Sequence, residues 1–134
     1  MTKITFYRQN GIFWGFQETG HTGFGEEGDD ILCSAISAMT MLILNTIEVA
    51  YKVSTEYTID DVNTDIRVTC KEVLTTKDEK IRFAVSGLLE GYYYQLVDLT
   101  EEYYEFLDVD LLDASKNKYG GNNNDQTRFT VHCT

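Results

Sequence analysis

The sequence predicts an α+β fold with mostly antiparallel strands and two long helices, and three observations predict it. Asn10-Gly11 separates two runs of alternating residues, which marks a tight hairpin. Apolar residues crowd 31–47 at helical spacing and do so again from Ile81 to Leu99. Between and after these helices, short runs alternate apolar with polar side chains. The chain has 134 residues, 43% of them hydrophobic, which suits one domain with a real core.

Thr2 to Gln9 and Ile12 to Glu18 read as the hairpin strands, because Asn and Gly both tolerate the positive φ of a two-residue turn. Direct pairing sets Tyr7 opposite Trp14 and Phe6 opposite Gly15. A loop, Thr19 to Gly28, follows. Asp29 or Asp30 then caps a helix running to about Ala50. Ile31, Leu32, Ala35, Ile36, Ala38, Met39, Leu42, Ile43 and Ile47 cover more than one of its faces, so burial on most sides is expected.

Val53, Thr55, Tyr57 and Ile59 give a moderate strand signal, and Ile66, Val68 and Cys70 a better one. Ile81, Ala84, Val85, Leu88, Leu89, Tyr92, Leu96 and Leu99 give the second helix. Gly87 and Gly91 lie one turn apart on it, where another element could approach closely. Leu107, Val109 and Leu111 form a last strand. The expected domain is 1–112. From Asp113 the chain turns polar, with Gly120-Gly121 and three consecutive asparagines, so 113–134 reads as a mobile tail.

The net charge is −11, which disfavours nucleic acid or an anionic membrane as a partner, since both need clustered Lys and Arg. It permits attraction to a basic partner. No uninterrupted apolar run reaches the roughly 18 residues of a membrane span, and Met1-Thr2-Lys3-Ile4 runs straight into strand pattern rather than a signal peptide. A cytoplasmic protein is expected. Three cysteines give no disulfide framework. No C-x-x-C or H-x-x-x-H spacing occurs, so no metal site is expected. Nothing calls for a cofactor. Cys70 reads as core, and Cys133 stands beside His132 on the tail.

The chemistry concentrates between Gly20 and Cys33. His21, one of two histidines, is a short loop away from Cys33. A thiol near a helix start feels the positive end of the dipole and unpaired N–H groups, which favour the thiolate. An imidazole within loop reach can take its proton. With Asp30 as N-cap, Cys33 would be N3 and hold a free N–H, and neighbouring N–H groups could bind an oxyanion. The Asp30 charge would oppose thiolate formation. Ser37, one turn on, shares the face of Cys33. A lone cysteine is often only a core residue; its pairing with His21 raises the functional reading.

Gly23-Phe24-Gly25-Glu26-Glu27-Gly28 also matches the dinucleotide fingerprint G-x-G-x-x-G. Against it stand Glu26, Glu27, Asp29 and Asp30, four carboxylates where a pyrophosphate would bind, and a preceding antiparallel hairpin rather than a parallel unit. The glycines read better as a loop that lets a chain enter and then closes.

At these residues the chain resembles the ribosomal-processing cysteine protease family Prp. Gly20, His21, Gly28, Asp30, Ile31, Leu32, Cys33 and Ala35 carry the likeness, which extends over roughly residues 1 to 112. The resemblance implies a two-layer arrangement, sheet against helices, and typically a homodimer. It implies peptide-bond hydrolysis that removes the N-terminal extension of the ribosomal large-subunit protein L twenty-seven, cutting after a bulky aromatic pair. It makes Cys33 the nucleophile, His21 the base and Asp30 a supporting residue. The loop of Thr22, Gly23, Phe24, Gly25 and Gly28 would cover the substrate. Ser34 stands where the family often has Ala, and the tail has no counterpart. The alternative is a non-catalytic ribosome-assembly binding module of the same fold.

Overall fold

The computed structural model describes residues 1–20, 27–60, 65–114 and 126–131. The order of elements is β1 (Thr2–Gln9), β2 (Ile12–Thr19), α1 (Glu27–Asn45) extended by a π-helical turn at Thr46–Ala50, β3 (Glu56–Asp60), β4 (Asp65–Thr69), a short α2 (Glu72–Thr75), α3 (Glu79–Tyr103), β5 (Leu107–Ala114) and β6 (Gln126–Val131). Six strands form one sheet in the order β3-β4-β2-β1-β5-β6. The fold is α+β, as expected. All strand pairs are antiparallel except β1 with β5, which run parallel because α3 carries the chain back across the sheet.

Asn10 and Gly11 have φ of 51° and 80°, so the tight turn forms where the sequence places it. The register differs. A bulge at Trp14 sets Tyr7 opposite Gly15 and Phe6 opposite Phe16, not Trp14 and Gly15. The reason is packing: the extra residue turns both Phe13 and Phe16 inward, where each is essentially unexposed. Tyr7 and Trp14 still meet, their rings stacked at 5.1 Å between centroids. Gly15 is required where it stands, because a Cβ would press to 2.6 Å from the Val68 carbonyl oxygen of β4.

The core joins one sheet face to α1 and α3. Ile4, Phe6, Phe16, Val68, Val109 and Leu111 supply the sheet side, and Leu32, Ile36, Ile47, Val85, Leu89 and Leu96 the helix side. Phe6 stands at its centre, packed edge-on against Tyr92 and Tyr93 at 5.6 and 5.3 Å. Asp78 caps α3 by accepting from the N–H groups of Lys80 and Ile81. Cys70, just past β4, is core.

Four expectations need correction. First, α1 is not buried on most sides: Ile31, Met41, Leu42 and Val49 are exposed, because among the described residues no further layer covers its outer side. That helix, Asp30–Ala50, is long and apolar enough by composition to cross a membrane, a test that a core helix also passes. Second, Val53 packs in the core but precedes β3, whose Tyr57 and Ile59 are exposed. Third, among the described residues no element approaches Gly87 or Gly91, since nothing lies within 4 Å of a Cβ at either. Fourth, the boundary at 112/113 falls inside β5, and Gln126–Val131 pairs with it as an edge strand. Val131, Phe129 and Thr127 alternate there, a period the polar surroundings concealed. Residues 115–125, Cys133 and His132 lie outside the described residues.

Candidate active site

The helix that carries Cys33 begins at Glu27, one turn earlier than its expected cap at Asp29 or Asp30. The first turn thus runs over residues 27–30. Cys33 then stands in the second turn rather than at N3. Its own N–H falls within reach of an intrahelical partner, and the four unpaired donors lie toward Glu27. The oxyanion role expected of N–H groups beside Cys33 therefore does not follow from its helix position.

The geometry does unite the other expected residues on this helix. Asp30, Cys33, Ser34 and Ser37 line one open hollow. Spacings of three and four residues put Asp30, Cys33 and Ser37 on one face. Cys33 itself is 7% exposed, while Asp30, Ser34 and Ser37 are exposed. Cys33 is thus nearly buried while lining an open hollow. Gly28 lies in the first turn. Among the described residues, no group of His, Cys, Asp and Glu is placed to hold a metal ion.

Gly20 closes β2 with φ of 74°, in the left-handed region. A Cβ there would overlap the carbonyl oxygen of Met1. Glycine is thus needed twice over at the point where the chain leaves the sheet. His21, Thr22, Gly23, Phe24 and Gly25 lie outside the described residues.

One feature beneath α1 escaped the reading of the sequence. Glu18, on the core face of β2, is 1% exposed. Thr40 Oγ1 donates to its Oε1 at 2.5 Å, and Tyr92 Oη donates to the same oxygen at 3.4 Å. The two hydroxyls are 3.0 Å apart. Burial raises the Glu18 carboxyl to about 7, against the lowering effect of these two bonds. Burial and the Glu18 charge together push the Tyr92 hydroxyl upward. A signal existed: Glu18 holds the inward phase of Phe16, and Thr40 interrupts the inward series Leu32, Ile36, Ile43.

The family model for cysteine protease Prp matches residues 1–108. Among solved structures, the chain is similar to SMU.848 from Streptococcus mutans, at 27% identity and a TM-score of 0.70, covering 84% of this chain and 98% of that one. It is also similar in fold to the essential ribosomal processing protease Prp from S. aureus. In complex with a substrate peptide, that structure matches at 18% identity and a TM-score of 0.68, covering 83% of this chain and 99% of that one. In complex with a covalently linked product peptide, it matches at 22% and 0.66, with the same coverage. A comparison with curated protein sequences finds no match. The matched region spans the hairpin, the hollow at Cys33 and both long helices, and it places this chain in the cysteine protease family Prp.

Proposed function

We propose that this chain is a site-specific cysteine endopeptidase that removes the N-terminal extension of the ribosomal large-subunit protein L twenty-seven, cutting after a bulky aromatic pair. The observation that carries the reading is Cys33 at the floor of a hollow with Asp30, Ser34 and Ser37, within a domain of the Prp family. The S. aureus relatives, described with a substrate peptide and a covalently linked product peptide, support a peptide substrate. The net charge of −11 suits a substrate cut from a basic ribosomal protein.

In this reading His21 takes the proton of Cys33. The sulfur attacks the scissile carbonyl carbon, and the C–N bond breaks as His21 returns that proton to the leaving amine. The same imidazole then takes a proton from water. The resulting hydroxide attacks the thioester carbonyl, the C–S bond breaks, and the proton returns to the sulfur. Asp30 and Ser37 are supporting groups on the face of Cys33, the stretch from Thr22 to Gly25 would cover the substrate, and Gly28 stands where that stretch meets α1. Cys33→Ala and His21→Ala are each expected to lower kcat by about 10³-fold or more. If both variants kept full cleavage, the reading would end, and a binding module would replace it.

A cytoplasmic homodimer belongs to the same proposal. Ile31, Met41 and Leu42 leave an apolar strip on the outer side of α1, and a second copy is the occupant that would cover it. Sedimentation at about twice the 15.3 kDa chain mass supports this; a monomer at micromolar concentration removes it.

A further inference from the structure

We propose that Glu18, Thr40 and Tyr92 form a positioning unit for the reaction, clamping α1 between β2 and α3 and so setting where Cys33 stands relative to the end of β2. The inference rests on the reading of Cys33 as the nucleophile. Its basis is a polar junction where hydrocarbon is the ordinary filling. Glu18, Thr40 and Tyr92 are 1%, 3% and 4% exposed, and each comes from a different element.

Thr40 and Tyr92 both donate to one oxygen of Glu18, and Tyr92 Oη also lies 3.5 Å from the Ile36 carbonyl oxygen of α1. Apolar side chains would fill such a space without the cost of burying a carboxyl. Directional bonds do something apolar contact does poorly: they fix how far a helix slides along its own axis. Thr40 stands two helical turns from Cys33 on the same face, about 10 Å along the axis. A helix transmits a shift at one turn to the next, and about 1 Å of misplacement at a reacting group can cost about 10²-fold in rate.

Among the described residues, the groups facing Glu18 are few. Ile4 on β1 and Ile66 on β4 are its register partners and bring no charge. Tyr57 on β3 feels the Glu18 charge, which with burial raises its hydroxyl. Thr40 and Tyr92 complete the shell. With burial holding the carboxyl up to about 7, the junction changes charge in the neutral range. Above that range the carboxylate draws both hydroxyls; below it the neutral acid is the weaker acceptor.

The test combines peptide cleavage with alkylation of Cys33 by iodoacetamide across pH 5 to 9, in the absence of substrate. Thr40→Val is expected to lower kcat about tenfold with KM held within about twofold. Thr40→Ser is expected to restore it. In Glu18→Gln the inflection near neutral pH in Cys33 alkylation should disappear, whereas wild type should show it. Thr40→Val and Glu18→Gln that are folded by circular dichroism, yet keep wild-type kcat and the wild-type alkylation profile, would overturn the proposal. The near-isosteric Glu18→Gln decides alone if Thr40→Val does not fold. If wild type cuts no peptide, the protease reading fails, while the alkylation profile still decides whether the junction acts on Cys33.

Discussion

Two polar places interrupt the apolar helix α1, and they differ in how they meet water. At the first, Cys33 lies in a hollow whose rim, Asp30, Ser34 and Ser37, is exposed. At the second, two turns on, Thr40 faces inward and is sealed with Glu18 and Tyr92. The first opens to water and can admit a substrate. The second can admit nothing but bonds three elements together. One helix thus separates reactivity from rigidity, and the sealed site lends its order to the open one. This division also explains why a carboxyl is tolerated in the core, where it works against stability once ionised.

The two buried cysteines should differ most. Cys33 is expected to react with iodoacetamide about 100-fold faster than Cys70. Cys70 is 2% exposed, burial raises its thiol, and its sulfur lies 3.6 Å from the Ser54 carbonyl oxygen. Mass mapping of the alkylated protein checks this, and equal rates would remove the distinction between open and sealed positions.

The next effect concerns Glu18 and stability. Its folded value, about 7, lies above the ordinary 4.5, so the folded protein binds the extra proton between them. Stability from this group is full below about pH 4.5 and falls as the pH rises to about 7. The loss is of the order of 3 kcal/mol. Glu18→Gln should lack that component and be the more stable protein at pH 8. Urea denaturation at pH 5 and pH 8 reads the difference.

A smaller effect is expected at Gly20. Gly20→Ala must adopt a left-handed φ and push Met1 aside, at a cost of about 1–3 kcal/mol. Thermal unfolding should register it, with a fall in cleavage because the loop is re-aimed. The smallest effect is at exposed Asp30, whose charge is screened by water. Asp30→Asn should move the midpoint of Cys33 alkylation to lower pH, since a negative neighbour is removed. An unchanged or raised midpoint would mean that the carboxylate is not close to the sulfur.

Much of this was legible in the sequence because local rules governed it. Asn10-Gly11 dictated the turn, and apolar spacing dictated both long helices. The shared face of Cys33 and Ser37 followed from helical spacing, whereas the hollow there did not. What was illegible depended on contacts between distant segments. The bulge at Trp14 exists so that Phe13 and Phe16 can share the core, which no pairing rule for a two-residue turn contains. The parallel pairing of β5 with β1 is decided by the path of α3, not by the alternation of Leu107, Val109 and Leu111. The start of α1 at Glu27 lies ahead of the residues read as its cap. Glu18 could be seen as buried only once the bulge had fixed the phase of β2.

The most direct measurement is cleavage of a peptide carrying an L twenty-seven N-terminal extension by wild type and by Cys33→Ala, with mass analysis of the products. A single cut after the aromatic pair, absent from the folded variant, is the predicted result. An equal cut by both proteins, or none by folded wild type, would contradict the account.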